Sequence, residues 1–267
     1  MKKQIVTACA LIASVAAFAA SVTSDNTFGV LKVASTATDV ASGQLIIPVP
    51  WENVGGGGVV ATNYVLSTGR KSGDKLYWYD NSLETPAYKV WSIEADNGPW
   101  TPVETYNIST SSASFTSVKP GNGESIARGH AVILGLVAGS TGAVYLSGQY
   151  NANDVKVQIY GPTEADAAKL SRVSTLIAPS TASDVDVNTL TFYTKENETY
   201  TPITDKTVLK NDYIRLANGT TFTYSVSLAS WYKEGDGGAP ITTGLTIPAG
   251  QGAWYSRGNA GSIYVQW

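Results

Sequence analysis

Two carboxylate pairs are the first residues that could do chemistry: Glu94 with Asp96, and Glu234 with Asp236. Each pair has one residue between its members and begins three residues after a tryptophan, Trp91 or Trp231. Two carboxylates facing a glycosidic bond can serve as acid and base, and oxygen-rich loops can hold Ca²⁺. Carboxylates at this spacing beside Asn97-Gly98 and Asp236-Gly237 are also ordinary hairpin chemistry. Turn formation is the favoured reading, calcium binding a weak one and catalysis the weakest. Asp184-Val-Asp186-Val-Asn188 opens like a calcium loop, but Thr189 stands where such a loop needs glycine and Lys195 where it needs glutamate.

Nucleophilic chemistry has little to work with. His130 is the only histidine, so any Ser-His-Asp arrangement would have to use it. It enters the apolar run Ala131 to Leu136, and the matching position later in the chain is Gln251, which cannot transfer protons. A structural role is expected. Cys9, the only cysteine, lies inside an apolar leader, so the mature chain has no thiol for catalysis, disulfides or metal. Gly55 to Gly58 is not followed by Gly-Lys-Ser/Thr and reads as a flexible connection. No enzyme activity, cofactor or resident metal is expected.

Aromatic rings are abundant, with seven tryptophans and fifteen tyrosines. Sugar-binding proteins use such rings as stacking platforms. Trp78, Trp100, Trp254 and Tyr255 are the candidates for a ligand-binding platform, because they sit near turns or among polar neighbours. Trp91 and Trp231 are expected in cores.

The elements that must position these residues are nearly all strands. Short runs rich in Val, Ile, Thr and Tyr alternate with Gly, Asn, Asp and Pro throughout the chain, as in Tyr88 to Ile93 or Thr221 to Leu228. Leu76-Tyr77-Trp78-Tyr79 has no polar face and is expected to be buried on both sides or to lie at an interface. One short helix is expected over Glu164 to Ser171, capped by Thr163. Lys2 and Lys3 followed by the apolar run Ile5 to Phe18 read as a cleaved export signal.

Three elements recur in the same order. Gly73-Asp74-Lys75-Leu76-Tyr77 matches Asn211-Asp212-Tyr213-Ile214-Arg215. Trp91-Ser-Ile-Glu94-Ala-Asp96 matches Trp231-Tyr-Lys-Glu234-Gly-Asp236, and Ser125-Ile126-Ala-Arg-Gly129 matches Thr246-Ile247-Pro-Ala-Gly250. Such recurrence marks an internal duplication. The expected fold is all-β: two related β-sandwich or small barrel-like units in tandem, with the short helix near their junction. Residues 1–20 would be the signal peptide, 21–150 the first unit and 151–267 the second.

Ile247-Pro-Ala-Gly250-Gln-Gly252-Ala-Trp254-Tyr255, with Leu31-Lys-Val33 and Val49-Pro-Trp51, resembles exported bacterial β-repeat proteins of unassigned function. The resemblance implies export and a β architecture, and assigns no activity and no site residues.

Charge narrows the partners. Lys and Arg total 18 against 21 Asp and Glu, with no basic tract, which argues against nucleic acid. The functional expectation is a secreted, non-enzymatic structural or cell-surface protein capable of self-assembly. Its partners would be itself or other surface proteins, with no transmembrane anchor after signal cleavage. The alternative is a carbohydrate-binding, lectin-like protein that takes polysaccharide on exposed aromatics. The expected location is extracellular or on the cell surface. The alternatives are the periplasm or the outer membrane, the latter because the chain closes on an alternating strand ending in Trp267.

Overall fold

A computed structural model describes residues 28–35, 44–52, 59–60, 64–66, 71–109, 114–121, 123–137, 140, 142–149, 153–168, 171–180 and 183–267. The proposed signal peptide with Cys9, and Gly55 to Gly58, lie outside the described residues. The fold is all-β, with antiparallel sheets and, among the described residues, one short α-helix, Glu164–Ala167. That helix is capped as its sequence indicates, with the Asp166 N–H donating to Thr163 Oγ1 at 3.2 Å. It stops four residues short of the expected end, at Ala167.

In the N-terminal part, strand Phe28–Ser35 pairs with Gly142–Gln149, which pairs in turn with Tyr64–Leu66. A five-stranded sheet runs in the order Gln44–Pro48, Ala131–Gly135, Lys75–Asp80, Ala87–Ile93, Trp100–Pro102. In the C-terminal part, a four-stranded sheet runs Lys156–Ile159, Ile263–Gln266, Thr191–Glu196, Thr199–Pro202. A six-stranded sheet runs Val173–Ile177, Ala253–Arg257, Tyr213–Leu216, Thr221–Ser225, Ser230–Glu234, Pro240–Ile241. Three short ladders complete the pairing among the described residues: Val59–Val60 with Ser125–Ile126, Asn107–Ser109 with Ser114–Thr116, and Val185–Asp186 with Thr246–Ile247. The two sets share much of their order of pairing but differ in strand number, three and five against four and six, and the Asn107–Ser109 ladder has no counterpart.

Two of the three recurring sequence elements fall at corresponding places in that order. Gly73 and Asn211 both adopt left-handed backbone, at φ 97° and 68°, just before the third strand of the larger sheet. Each following aspartate offers its carbonyl across the sheet, Asp74 to the Ile93 N–H and Asp212 to the Tyr224 N–H. Ser125–Ile126 and Thr246–Ile247 each form a two-residue ladder strand, and each is followed by a left-handed glycine, Gly129 or Gly250.

The tryptophan element departs from this correspondence. Trp91 lies on the fourth strand of the five-stranded sheet, whereas Trp231 lies on the fifth strand of the six-stranded one; Trp100 occupies the fifth position in the N-terminal sheet. A tryptophan followed by a Glu-x-Asp turn is thus a local hairpin feature that recurs on different strands.

Alternation of apolar residues builds each core. In the N-terminal part Leu76, Trp91, Ile93, Trp100, Val132 and Leu134 pack together. In the C-terminal part Phe192, Ile263 and Val265 of the four-stranded sheet meet Ile214, Phe222, Trp231 and Tyr255 of the six-stranded one. The closing strand therefore turns Ile263 and Val265 into a sandwich core, while Tyr264 and Gln266 face outward.

A third cluster spans the two parts. Ile46, Ala131 and Ile133 pack on Leu176 and Ala178, with Tyr77, Tyr79, Tyr88 and Trp254 around them. Backbone bonds reinforce it, from the Ala178 N–H to Gly129 O at 2.8 Å and from the Gly252 N–H to Ile46 O at 3.0 Å. A Cβ on Gly252 would stand 2.6 Å from Ala131 Cβ and 2.7 Å from Ile46 Cγ2, so glycine is required by close approach. The strand without a polar face is explained here. Leu76 and Trp78 face the N-terminal core, and Tyr77 and Tyr79 face the cluster between the parts.

Candidate functional site

The outer face of the six-stranded sheet gathers more of the candidate residues than any other described surface. Directly opposed residues of an antiparallel ladder project to the same face. One row of such partners runs Leu176, Trp254, Arg215, Thr221. A neighbouring row runs Ser256, Tyr213, Thr223, Tyr232. At the sheet's edge these rows meet a depression of about 700 Å³, lined among others by Thr221, Thr223, Tyr232, Lys233, Glu234 and Asp236. The side chains of Arg215, Lys233, Glu234 and Asp236 have no hydrogen-bond or ion-pair partner among the described residues.

The four proposed platform aromatics do not share a surface. Trp254 is on this outer face, half-buried, its ring 5.9 Å from that of Tyr79 and close to edge-on. Tyr255, its neighbour in sequence, points the opposite way because strand side chains alternate. It is fully buried and donates its hydroxyl to Asp212 at 2.9 Å. Trp100 is only 5% exposed in the N-terminal core. Trp78 packs beside that core with the Lys89 ammonium 5.0 Å from its ring centre. Trp51, Trp91 and Trp231 are buried as well.

The two carboxylate pairs have separate fates. Asp96 accepts from Lys71 Nζ at 2.7 Å and from the Ser72 N–H at 2.9 Å, and the Glu94 carbonyl accepts from Ser72 Oγ. The Lys71 hydrogen bond holds the Asp96 carboxyl below its ordinary range. With Asn97 left-handed at φ 62°, this pair closes a turn. Glu234 and Asp236 instead border the depression, beside a one-turn 3₁₀ segment, Asp236–Gly238. Among the described residues no group of three or more His, Cys, Asp and Glu converges to hold a metal ion.

His130 lies at the junction of the two parts, in an isolated antiparallel bridge with Ile177. Burial drives its pKa down to about 4, against a small opposing effect of Asp80. It is neutral near pH 7.

The buried charged groups escaped the sequence reading. Asp74 accepts from the Val137 N–H, Ser140 Oγ and the Lys71 N–H. Asp212 accepts from Tyr255, the Gly258 N–H and Arg257, the last at 2.9 Å. Burial raises the Asp212 carboxyl above its ordinary value, opposed by Arg257 and these donors. Both aspartates thereby tie the start of one strand to the loop after another. Lys89 is buried between Asp80, at 2.8 Å, and Glu124. The recurring Gly/Asn-Asp dipeptide marked the positions of Asp74 and Asp212, but only the fold shows the carboxylates turned inward.

No helix among the described residues is long and apolar enough to cross a membrane. No family model, no curated protein and no solved structure matches the chain.

Proposed function

We propose that the protein is a secreted, non-enzymatic structural component of the cell surface. The observation that carries this reading is the interlocked junction between its two parts. Aromatic side chains from both parts, Tyr77, Tyr79, Tyr88 and Trp254, close over a shared apolar cluster. Asn81 Nδ2 crosses the same junction to Ser174 O at 2.9 Å. Buried carboxylates clamp loops to strands in each part. Asp74, Asp212 and Lys89 are thus invested in rigidity, which suits a structural module. Edge strands supply a route to self-association, since Thr199–Pro202 ends the four-stranded sheet with no further strand beside it among the described residues.

The test is multi-angle light scattering and electron microscopy on the mature chain, residues 21–267, over a range of concentrations. Regular assemblies, reduced by a Tyr200→Pro change that removes an outward-facing N–H of the edge strand, support the reading. A monomer at every concentration that turns over a polysaccharide or peptide substrate contradicts it.

A further inference from the structure

We infer that the depression at the edge of the six-stranded sheet, with the rows leading from it to Trp254, is a binding site for a neutral polysaccharide. This goes beyond the structural role proposed above and supplies a means of holding the module to a polysaccharide surface.

Three features of the face converge on that ligand. The first is the mixture of polar groups. Lys233 and Arg215 can only donate hydrogen bonds, Glu234 and Asp236 in their ionised form can only accept, and the hydroxyls of Thr221 and Thr223 do both. None of the four charged side chains has a hydrogen-bond or ion-pair partner among the described residues. A ligand that satisfies such a set must itself donate and accept at closely spaced positions, as the vicinal hydroxyls of a sugar do. The second feature is charge balance. Three cations, Lys233, Arg215 and Arg172 over the Tyr213 ring, stand among two carboxylates, so the signs nearly balance. Glu234 and Asp236 repel phosphate and uronate, while Lys233 and Arg215 repel a cationic ligand.

The third feature is aromatic. Tyr232 lines the depression, and Tyr213 and Trp254 lie further along the same face, all three half-buried, with the Arg172 guanidinium 5.2 Å from the Tyr213 ring centre. A sugar's C–H face packs on such rings while its hydroxyls reach the polar groups. Neighbouring strands are about 4.8 Å apart. The rows cross four strands from Trp254 toward the sheet edge, so the face is long enough for several sugar units rather than one. The ligand is accordingly an extended chain.

The experiment is a glycan array followed by titration calorimetry, using the mature chain and three variants. Tyr232→Ala removes the ring in the depression, Glu234→Gln removes an exposed charge with little risk to folding, and Tyr193→Ala alters the opposite side of the sandwich. Saturable binding to one class of neutral glycan is expected. The affinity should fall about tenfold or more in both Tyr232→Ala and Glu234→Gln, the loss of one stacking or charge-assisted contact, and should be unchanged in Tyr193→Ala. Absence of binding to every neutral glycan overturns the inference. So does binding confined to acidic glycans, or binding of equal strength in Glu234→Gln and wild type. Each of those failures leaves the assembly measured by light scattering untouched, so the structural role stands or falls separately.

Discussion

Lowering the pH should loosen the junction between the two parts through His130. In the unfolded chain this imidazole takes a proton near pH 6.5, whereas in the folded protein burial delays protonation to about 4. Between those values the unfolded state binds the extra proton, so stability falls as the pH drops. The contribution is fully present above about pH 6.5 and is lost progressively down to about 4. The gap between 6.5 and about 4, at roughly 1.4 kcal/mol per unit, amounts to about 3 kcal/mol. Several carboxylates with lowered pKa, Asp80 among them, also weaken the fold in acid, so the comparison must isolate the histidine. His130→Gln does so, because Gln251 occupies the matching position after Gly250 in the C-terminal part. Urea unfolding of wild type and variant at a series of pH values gives the two curves. The wild type should lose about 3 kcal/mol more than His130→Gln between about pH 7.5 and 4. Parallel curves would show that His130 is not protected from protons and would refute the burial argument.

Other expectations are quicker to check. Gly252→Ala forces a Cβ against Ala131 and Ile46 and should cost about 1–3 kcal/mol, seen as a lower urea midpoint with an unchanged slope. Arg257→Leu leaves Asp212 buried without its cation and should cost about 3–5 kcal/mol in the same assay. Tyr255→Phe removes only the hydroxyl bond to the Asp212 carboxylate and should cost about 1.5–3 kcal/mol. Since Asp96 is engaged by Lys71 and Ser72, neither added calcium nor a chelator should move the melting temperature; a rise of several degrees with calcium would show a site that these carboxylates do not reveal.

The strands were legible in the sequence because alternation is a local signal. Tyr213-Ile-Arg-Leu216 shows in four letters which residues go inside. The left-handed positions were legible for the same reason, since Gly73 and Asn211 announce them through residue type. What stayed hidden depends on residues distant in sequence. The meeting of Lys89 with Glu124 spans 35 positions, and neither residue type favours burial. The role of Gly252 follows from Ile46 and Ala131 across the junction, not from any neighbour in sequence. Trp100 and Tyr255 looked accessible because polar residues flank them. That inference failed because strand neighbours face opposite ways. The matching of Trp91 with Trp231 failed for another reason, since a Trp-x-x-Glu-x-Asp turn can recur on any hairpin.

Display of the proposed structural module outside the cell is tested on intact cells that express the chain from Met1. A non-penetrating protease is added, and the protein is followed by antibody and by sequencing of its mature N-terminus. The account predicts a chain that begins near residue 21 and is degraded by the external protease while cytoplasmic markers survive. A full-length chain with Lys2 and Lys3 still in place, protected until the cells are lysed, would contradict it.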